Sequence, residues 1–199
     1  MRKAAQVISI LLLLANVGFS AELELGSAIP LADAKMQDIS GEQISLNDVT
    51  QENGLVVIFS CNTCPWVHAW EDRYVELAEA YQKKGVGFVA INSNAAYREK
   101  GDGLGDMQVR AKEKGYNFYY TLDKNSQLAK AFGATRTPHV FVFNTDGKLI
   151  YRGAIDDNAK NPEKVEDAYL AAALDASLAG KVIKAASTKA LGCTIKFAD

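Results

Sequence analysis

Three largely apolar runs limit the folds that are open to this chain. The runs are LVVIFS (55–60), GVGFVAINSN (85–94) and VFVF (140–143), each rich in β-branched or aromatic residues. Such runs are typical of strands buried on both faces of a sheet. After the first run, apolar side chains recur at steps of three and four, as on one face of a helix; they are Val67, Trp70, Tyr74, Leu77, Ala78 and Tyr81. Strands that alternate with amphipathic helices predict an α/β fold.

Turn signals predict two hairpins, one at each end of this pattern. Ser40-Gly41 lies inside an alternating polar and apolar segment, which indicates a short hairpin near the N-terminus. The NTDG turn at 144–147 joins the third apolar run to KLIYRG. We therefore expect a mixed sheet with helices on both faces and an N-terminal β-hairpin extension.

Capping residues predict where the remaining helices end or begin. A short helix over 124–132 is followed by Gly133, which favours a left-handed C-terminal turn. Asn161 and Pro162 are suited to the N-cap and first position of a last helix, which we expect to run to about Gly180. A further helix over 107–115 and a strand over 117–122 complete the prediction.

The first twenty residues are typical of a secretory signal peptide. They contain Arg2 and Lys3, no acid, and an apolar stretch that is shorter than the roughly 20 residues a membrane span needs. We expect cleavage before Ala21, which leaves 20 basic and 24 acidic side chains, a net charge of −4. The prediction is an exported protein, periplasmic or secreted, with one domain over 21–180, a C-terminal tail over 181–199 and no stable membrane insertion. Without a basic patch it is not expected to bind nucleic acid.

Three cysteines carry the chemical signal, because disulfides persist in the oxidising compartments that exported proteins reach. Cys61 and Cys64 form a Cys-x-x-Cys pair where the first strand meets the first helix, and Cys193 lies in the tail. Proline is favoured at the first helical position and lacks the amide needed further on. Pro65 therefore predicts Cys64 as the N-cap, where amide groups and the helix dipole favour a thiolate nucleophile.

His68 and Cys61 are the neighbours that this placement brings near Cys64. His68 follows Cys64 by one helical turn and could influence the thiolate, or it could be a partly exposed residue facing Glu71 or Asp72. Cys61 lies on the incoming loop and is a candidate resolving thiol. Burial of both cysteines as small apolar side chains is the alternative without chemistry.

The segment ATRTPHVFVF places Pro138 directly before a buried strand, which makes the Thr137-Pro138 bond a candidate cis peptide. Together with the Cys-x-x-Cys turn, this arrangement resembles the thioredoxin fold. That resemblance implies that Pro138 faces Cys64 across the site. It also implies that Thr137 offers backbone groups to a docked substrate chain.

The chain more narrowly resembles the redoxin branch, the alkyl hydroperoxide reductase/thiol-specific antioxidant family, in its peroxiredoxin-like members. The resemblance covers about residues 24–196 and includes the tail, so it implies that Cys193 belongs to the family pattern. The segments that carry it are LGSAIPL, SGEQISLNDV, VVIFSCNTCPWV, AINSN, GATRTPHVFVFNTDGKLIYRG and LGCTIKF.

Two departures from that family favour thiol-disulfide exchange over peroxide reduction. Cys61 stands where peroxiredoxins have the Thr or Ser that helps to hold peroxide, and Pro138 stands where they have an activating Arg. Arg136 lies two residues away, with a direction that the sequence leaves open. We therefore predict a thiol-disulfide oxidoreductase in which Cys64 attacks a substrate and Cys61 or Cys193 resolves the mixed disulfide. Its expected partners are a protein or small-molecule disulfide or peroxide and a thiol reductant.

Three other functions stay open at this level. A thiol peroxidase would pass through a sulfenic acid on Cys64. A copper chaperone could use Cys61, Cys64 and either His68 or His139 as soft ligands. A binding module would keep the fold without turnover. For the favoured chemistry we expect no cofactor and no bound metal.

Overall fold

A computed structural model describes residues 21–198 of the chain. The signal peptide predicted for residues 1–20 lies outside these described residues. Of the helices in the described part, none combines the length and the apolar content needed to cross a membrane.

Within residues 21–198, seven strands form the main sheet in the order β2-β1-β5-β4-β3-β7-β8. The central strands β3, β4 and β5 are parallel, and β7 and β8 continue the sheet as an antiparallel hairpin. The hairpin of β1 and β2 extends the opposite edge. The strands are β1 Met36–Asp38, β2 Gln43–Ile44, β3 Leu55–Ser60, β4 Gly87–Asn92, β5 Tyr119–Leu122, β6 Arg136–Thr137, β7 His139–Phe143, β8 Leu149–Gly153 and β9 Cys193–Thr194.

Helices cover both faces of this sheet, and β3 is therefore buried on both sides. Val56 and Ile58 pack with α2 and α5, and Val57 and Phe59 pack on the other face with α1 and α4. The helices are α1 Leu46–Val49, α2 Pro65–Gln82, α3 Leu104–Lys114, α4 Gln127–Phe132 and α5 Tyr169–Leu178. The predicted mixed sheet with helices on both faces and an N-terminal hairpin is confirmed.

The predicted start of the last helix is wrong. Asn161 caps only one 3-10 turn, Pro162–Lys164, by accepting a hydrogen bond from the amide of Glu163. The side chain of Asp157 then accepts the amide of Glu166, which holds the chain away from a helical path. Because of this bond, α5 begins only at Tyr169.

The segment after α5 returns to the strands that border the cysteine turn. Thr188 hydrogen-bonds to Tyr151, at 2.9 Å between the hydroxyl oxygens, and so attaches the segment to β8. Further on, β9 pairs with β6 in a small second sheet. This pairing, which the sequence did not predict, carries Cys193 towards the N-terminus of α2.

Candidate active site

The turn between β3 and α2 presents the Cys-x-x-Cys pair. Cys64 is the N-cap of α2, with an extended backbone, and Pro65 occupies the first helical turn. This confirms the placement predicted from Pro65, and its cause is local, since proline at this position needs no amide partner. Cys61 lies on the loop directly after β3.

The loop before β7 faces both cysteines. The Thr137-Pro138 peptide bond is cis, as predicted. The sulfur of Cys64 lies 3.1 Å from the carbonyl oxygen of Thr137, and the sulfur of Cys61 lies 3.4 Å from its hydroxyl oxygen. Thr137 therefore contacts both thiols, one through its backbone and one through its side chain.

Cys193 is the third member of this cluster. In the pairing of β6 with β9 it stands opposite Thr137, and it packs against the apolar cluster that contains Cys61 and Cys64. Hydrogen bonding from its thiol and its amide helps to lower the pKa of Cys64. Topology thus brings all three cysteines of the chain together as free thiols.

Burial differs sharply among the three thiols. Cys61 is 1% exposed and Cys64 is 2% exposed, whereas Cys193 is partly exposed. The tail packs against the cluster that contains Cys64 and contributes to its burial. The accessible thiol of the cluster is that of Cys193.

The surroundings of Cys64 favour its thiolate. The thiol of Cys61 donates a hydrogen bond to the Cys64 sulfur and lowers its pKa most, and burial opposes this effect. The Cys193 thiol and the amides of Val67 and Cys193 lower the pKa of Cys64 further. Hydrogen bonds to the charged form account for the direction. The contact of the Cys64 thiol with the carbonyl oxygen of Thr137 is made by its protonated form.

The two partner thiols shift the other way. The hydrogen bond with Cys64 raises the pKa of Cys61, as do burial and the charge of Asp102. Burial first, and then the contacts with Cys64, raise the pKa of Cys193. These shifts favour Cys64 over Cys61 and Cys193 as the thiolate of the cluster.

The two residues predicted to modulate the site lie beside it. His68 is exposed and its Nε2 bonds to the carbonyl oxygen of Asn62, inside the Cys-x-x-Cys turn, rather than to Glu71 or Asp72. Arg136 is also exposed, and its Nη1 donates to the carbonyl oxygen of Gly192 at 3.0 Å. The described contact of Arg136 is therefore with the tail next to Cys193.

Asp102 is a site residue that the sequence reasoning missed. Its buried carboxylate accepts the amide of Asn62 at 2.6 Å and the hydroxyl of Thr63 at 2.8 Å, the two residues between the cysteines. The amides of Asn92 and Asn94 donate to the same two oxygens. Asp102 therefore positions the turn, and only its setting in a Gly-rich loop between predicted elements marked it in the sequence.

The histidines do not join the thiols in a metal site. Over residues 21–198, no group of three or more His, Cys, Asp or Glu side chains is arranged to hold a metal ion. His139 instead pairs through Nε2 with Glu22, at 2.9 Å. The ligand set imagined for copper is therefore not assembled in the described residues.

One relative known by sequence and two solved structures resemble this chain. A thiol-disulfide oxidoreductase ResA of Bacillus thuringiensis is 26% identical over 156 residues, 73% of this chain and 83% of the relative. The crystal structure of an uncharacterized conserved protein from Geobacillus kaustophilus is 37% identical, with a TM-score of 0.82, covering 88% of this chain and 93% of that one. A secreted Mycobacterium tuberculosis disulfide oxidoreductase, 19% identical with a TM-score of 0.56, shares the fold over 72% of this chain and 95% of its own.

The sequence also matches the Redoxin family model over residues 24–170, most of the chain. The match covers β3 and α2, the two elements that position Cys61 and Cys64. It confirms the predicted family resemblance and the thioredoxin-like fold. The chain is therefore an oxidoreductase that belongs to the Redoxin family.

Proposed function

We propose that this chain is an exported thiol-disulfide oxidoreductase in which Cys64 is the nucleophile. The observation that carries the proposal is the sulfur of Cys64 at the N-terminus of α2, 3.1 Å from the carbonyl oxygen of Thr137 in the cis-proline loop and in one cluster with Cys61 and Cys193. A helix N-terminus favours a thiolate, and exchange needs a second thiol within reach. The disulfide oxidoreductases among its relatives support the same reaction class.

Bonds and electrons balance in the proposed exchange. The Cys64 thiolate attacks one sulfur of a substrate disulfide, which forms a mixed disulfide and releases the other sulfur as a thiolate. A second cysteine, Cys61 or Cys193, then attacks the sulfur of Cys64 and releases the substrate as a thiol. The substrate gains two electrons and the enzyme keeps a disulfide, which a thiol reductant returns to the dithiol. The reverse sequence oxidises a substrate dithiol.

Export is the second part of the proposal. Its support is the signal-like composition of residues 1–20 and the secreted relative with the same fold. In a periplasmic or extracellular setting a Cys-x-x-Cys disulfide can persist, so the proposed site could work in either redox state. The test is the size of the mature protein after expression in a bacterial host, where cleavage before Ala21 is expected.

The charge on Cys64 gives the sharpest test of the site. In the fully reduced protein we expect one thiolate per chain at neutral pH, seen in its ultraviolet absorbance, because hydrogen bonds hold the pKa of Cys64 below its ordinary value. The signal should persist as the pH falls below the ordinary thiol pKa of about 8.5 and vanish only on further acidification. The substitution Cys64→Ser should remove it. Absorbance that first rises near the ordinary thiol pKa would contradict the proposal.

A peroxide assay separates exchange from the peroxidase alternative. Arg136 donates to Gly192, so its observed contact holds the tail rather than a peroxide beside Cys64. We therefore expect the reduced protein to react faster with glutathione disulfide than with hydrogen peroxide. Stoichiometric peroxide consumption that is faster than disulfide exchange and is lost in Cys64→Ser would favour the peroxidase.

A further inference from the structure

The tail lies along the edge of the cis-proline loop as an added strand. Cys193 stands opposite Thr137 and Thr194 opposite Arg136, in antiparallel register, and the amide of Ile195 donates to the carbonyl oxygen of Thr135 at 2.9 Å. Ile195 is buried in the core and anchors this strand. Cys193 is therefore held in one position next to Cys64.

Gly192 shows how closely the tail fits this edge. A Cβ atom on Gly192 would lie 2.0 Å from the carbonyl oxygen of Thr137 and 3.1 Å from the nitrogen of Pro138. Backbone atoms cannot yield as a flexible side chain does, so only glycine allows this approach. Arg136 holds the same residue through its carbonyl oxygen. The close packing of the tail on the cis-proline bond is thus specific.

An unpaired strand edge beside a reactive thiol is where an extended polypeptide would add as a further strand. Here the chain fills that edge with its own tail, and Cys193 takes the position in which a partner would present its cysteine. The two inner thiols, Cys61 and Cys64, are nearly inaccessible, whereas Cys193 is partly exposed. An external reactant therefore meets the sulfur of Cys193 first.

We propose that Cys193 is the thiol through which Cys64 exchanges disulfides with external low-molecular-weight thiols and disulfides. This inference rests on the proposed function and refines it: for an external small disulfide the first attack passes from Cys64 to Cys193, and Cys64 takes over the disulfide in the second step. A polypeptide strand cannot pair at Thr137 while the tail is docked, so small partners are the class that the site accepts.

The proposed steps balance in both directions. In the oxidised form, an external thiolate attacks the sulfur of Cys193 in a Cys64-Cys193 disulfide and expels Cys64 as a thiolate. Thiols of low pKa leave fastest, and hydrogen bonds lower the pKa of Cys64. A second external thiolate attacks the external sulfur, releases Cys193 as a thiol and carries away the external disulfide. In reduction of an external disulfide, the Cys193 thiol gives its proton to the Cys64 thiolate and attacks one external sulfur, and the external thiolate that leaves takes the proton back from Cys64. The Cys64 thiolate then attacks the sulfur of Cys193 and releases the second external sulfur as a thiolate.

The inner thiol completes the relay. Cys61 can attack the sulfur of Cys64 in the Cys64-Cys193 disulfide, which moves the disulfide to Cys61-Cys64 and frees Cys193 for another external reaction. No oxidant or reductant beyond the external thiol and disulfide is required. Cys61 and Cys64 thereby store the two electrons, and Cys193 transfers them.

Adduct mapping in Cys61→Ser tests the assignment. This variant is oxidised to its Cys64-Cys193 disulfide, treated with reduced glutathione, quenched with acid and mapped by peptide mass spectrometry. We expect the glutathione adduct on Cys193 and a free thiol at Cys64. An adduct on Cys64, or no Cys64-Cys193 disulfide, would overturn the inference.

Rates in tail variants give an independent test with glutathione disulfide as the probe. In Cys193→Ser the tail stays docked without its thiol, so we expect oxidation to slow by about tenfold or more through loss of access. In Gly192→Ala/Cys193→Ser the added methyl group displaces the tail, and direct reaction at Cys64 should recover the rate. An unchanged rate in Cys193→Ser, or no recovery in a folded double variant, would refute the assignment.

Cys64→Ser distinguishes this inference from the proposed function. If Cys193→Ser reacts as fast as the parent chain and Cys64→Ser does not react, the tail assignment fails and the nucleophile assignment stands. If Cys64→Ser keeps the parent rate of two-electron exchange, both fail.

Discussion

Replacing Cys64 by serine is expected to abolish thiol-disulfide exchange, with a loss of at least about a thousandfold in rate. A serine hydroxyl is not ionised at neutral pH and forms no disulfide, so the central step of the cycle disappears. The side chain keeps its size, and Pro65 still begins α2, so the fold should be retained. The measurement is the rate of glutathione reduction of a small disulfide with catalytic amounts of protein.

Thr63→Ser is the matched control for this substitution. Thr63 lies next to Cys64, and a serine there keeps the hydroxyl that donates to Asp102. Its exchange rate should stay within about twofold of the parent chain, as is usual for an exposed position. Residual turnover above about one per cent in Cys64→Ser would show that the exchange does not pass through Cys64.

Removing the carboxylate of Asp102 is expected to give the largest loss of stability. In Asp102→Ala four donors lose their acceptor, among them the amide of Asn62 and the hydroxyl of Thr63. We expect the free energy of unfolding to decrease by about 3 to 5 kcal/mol, because buried donors are left without a partner. Urea denaturation of the reduced protein measures it. The pKa of Cys61 should also fall, because the charge of Asp102 helps to raise it.

Asp106→Asn serves as the comparison for this change. Asp106 comes from the same segment and accepts the amide of Gly103 at the start of α3, but it is exposed. Loss of one exposed capping contact should cost about 1 kcal/mol or less. Equal denaturation midpoints for Asp102→Ala and Asp106→Asn would show that the buried carboxylate does not hold the Cys-x-x-Cys turn.

Local sequence signals predicted the parts of the site whose conformation depends on neighbouring residues. The apolar run of β3 and the apolar stripe of α2 predicted the strand and the helix, and Pro65 predicted the cap between them. Pro138 directly before a buried strand predicted the cis bond. Each prediction rests on neighbouring residues whose backbone preferences act together.

The errors occurred where a side chain from outside the segment overrides the local preference of that segment. Asn161 and Pro162 carry the local signals of a helix start, yet Asp157 takes the amide of Glu166 and only one turn forms. In the same way, Asp102 in a polar loop has no local pattern that would reveal four donors from two other segments. Polar contacts of this kind depend on which loops meet at the ends of the strands.

The amino-acid sequence alone determined the α/β class and the cap at Cys64, because periodicity and the missing amide of proline act within a few residues. That the proline loop faces Cys64 was implied by the resemblance to the thioredoxin fold. Only the tertiary structure decided that the tail pairs with β6 and that Cys193 is partly exposed while Cys64 is buried. The physical reason is that these contacts join segments that are far apart in the sequence. Strand pairing between β6 and β9 satisfies backbone groups that no local segment can satisfy, and that pairing sets which sulfur a reactant meets.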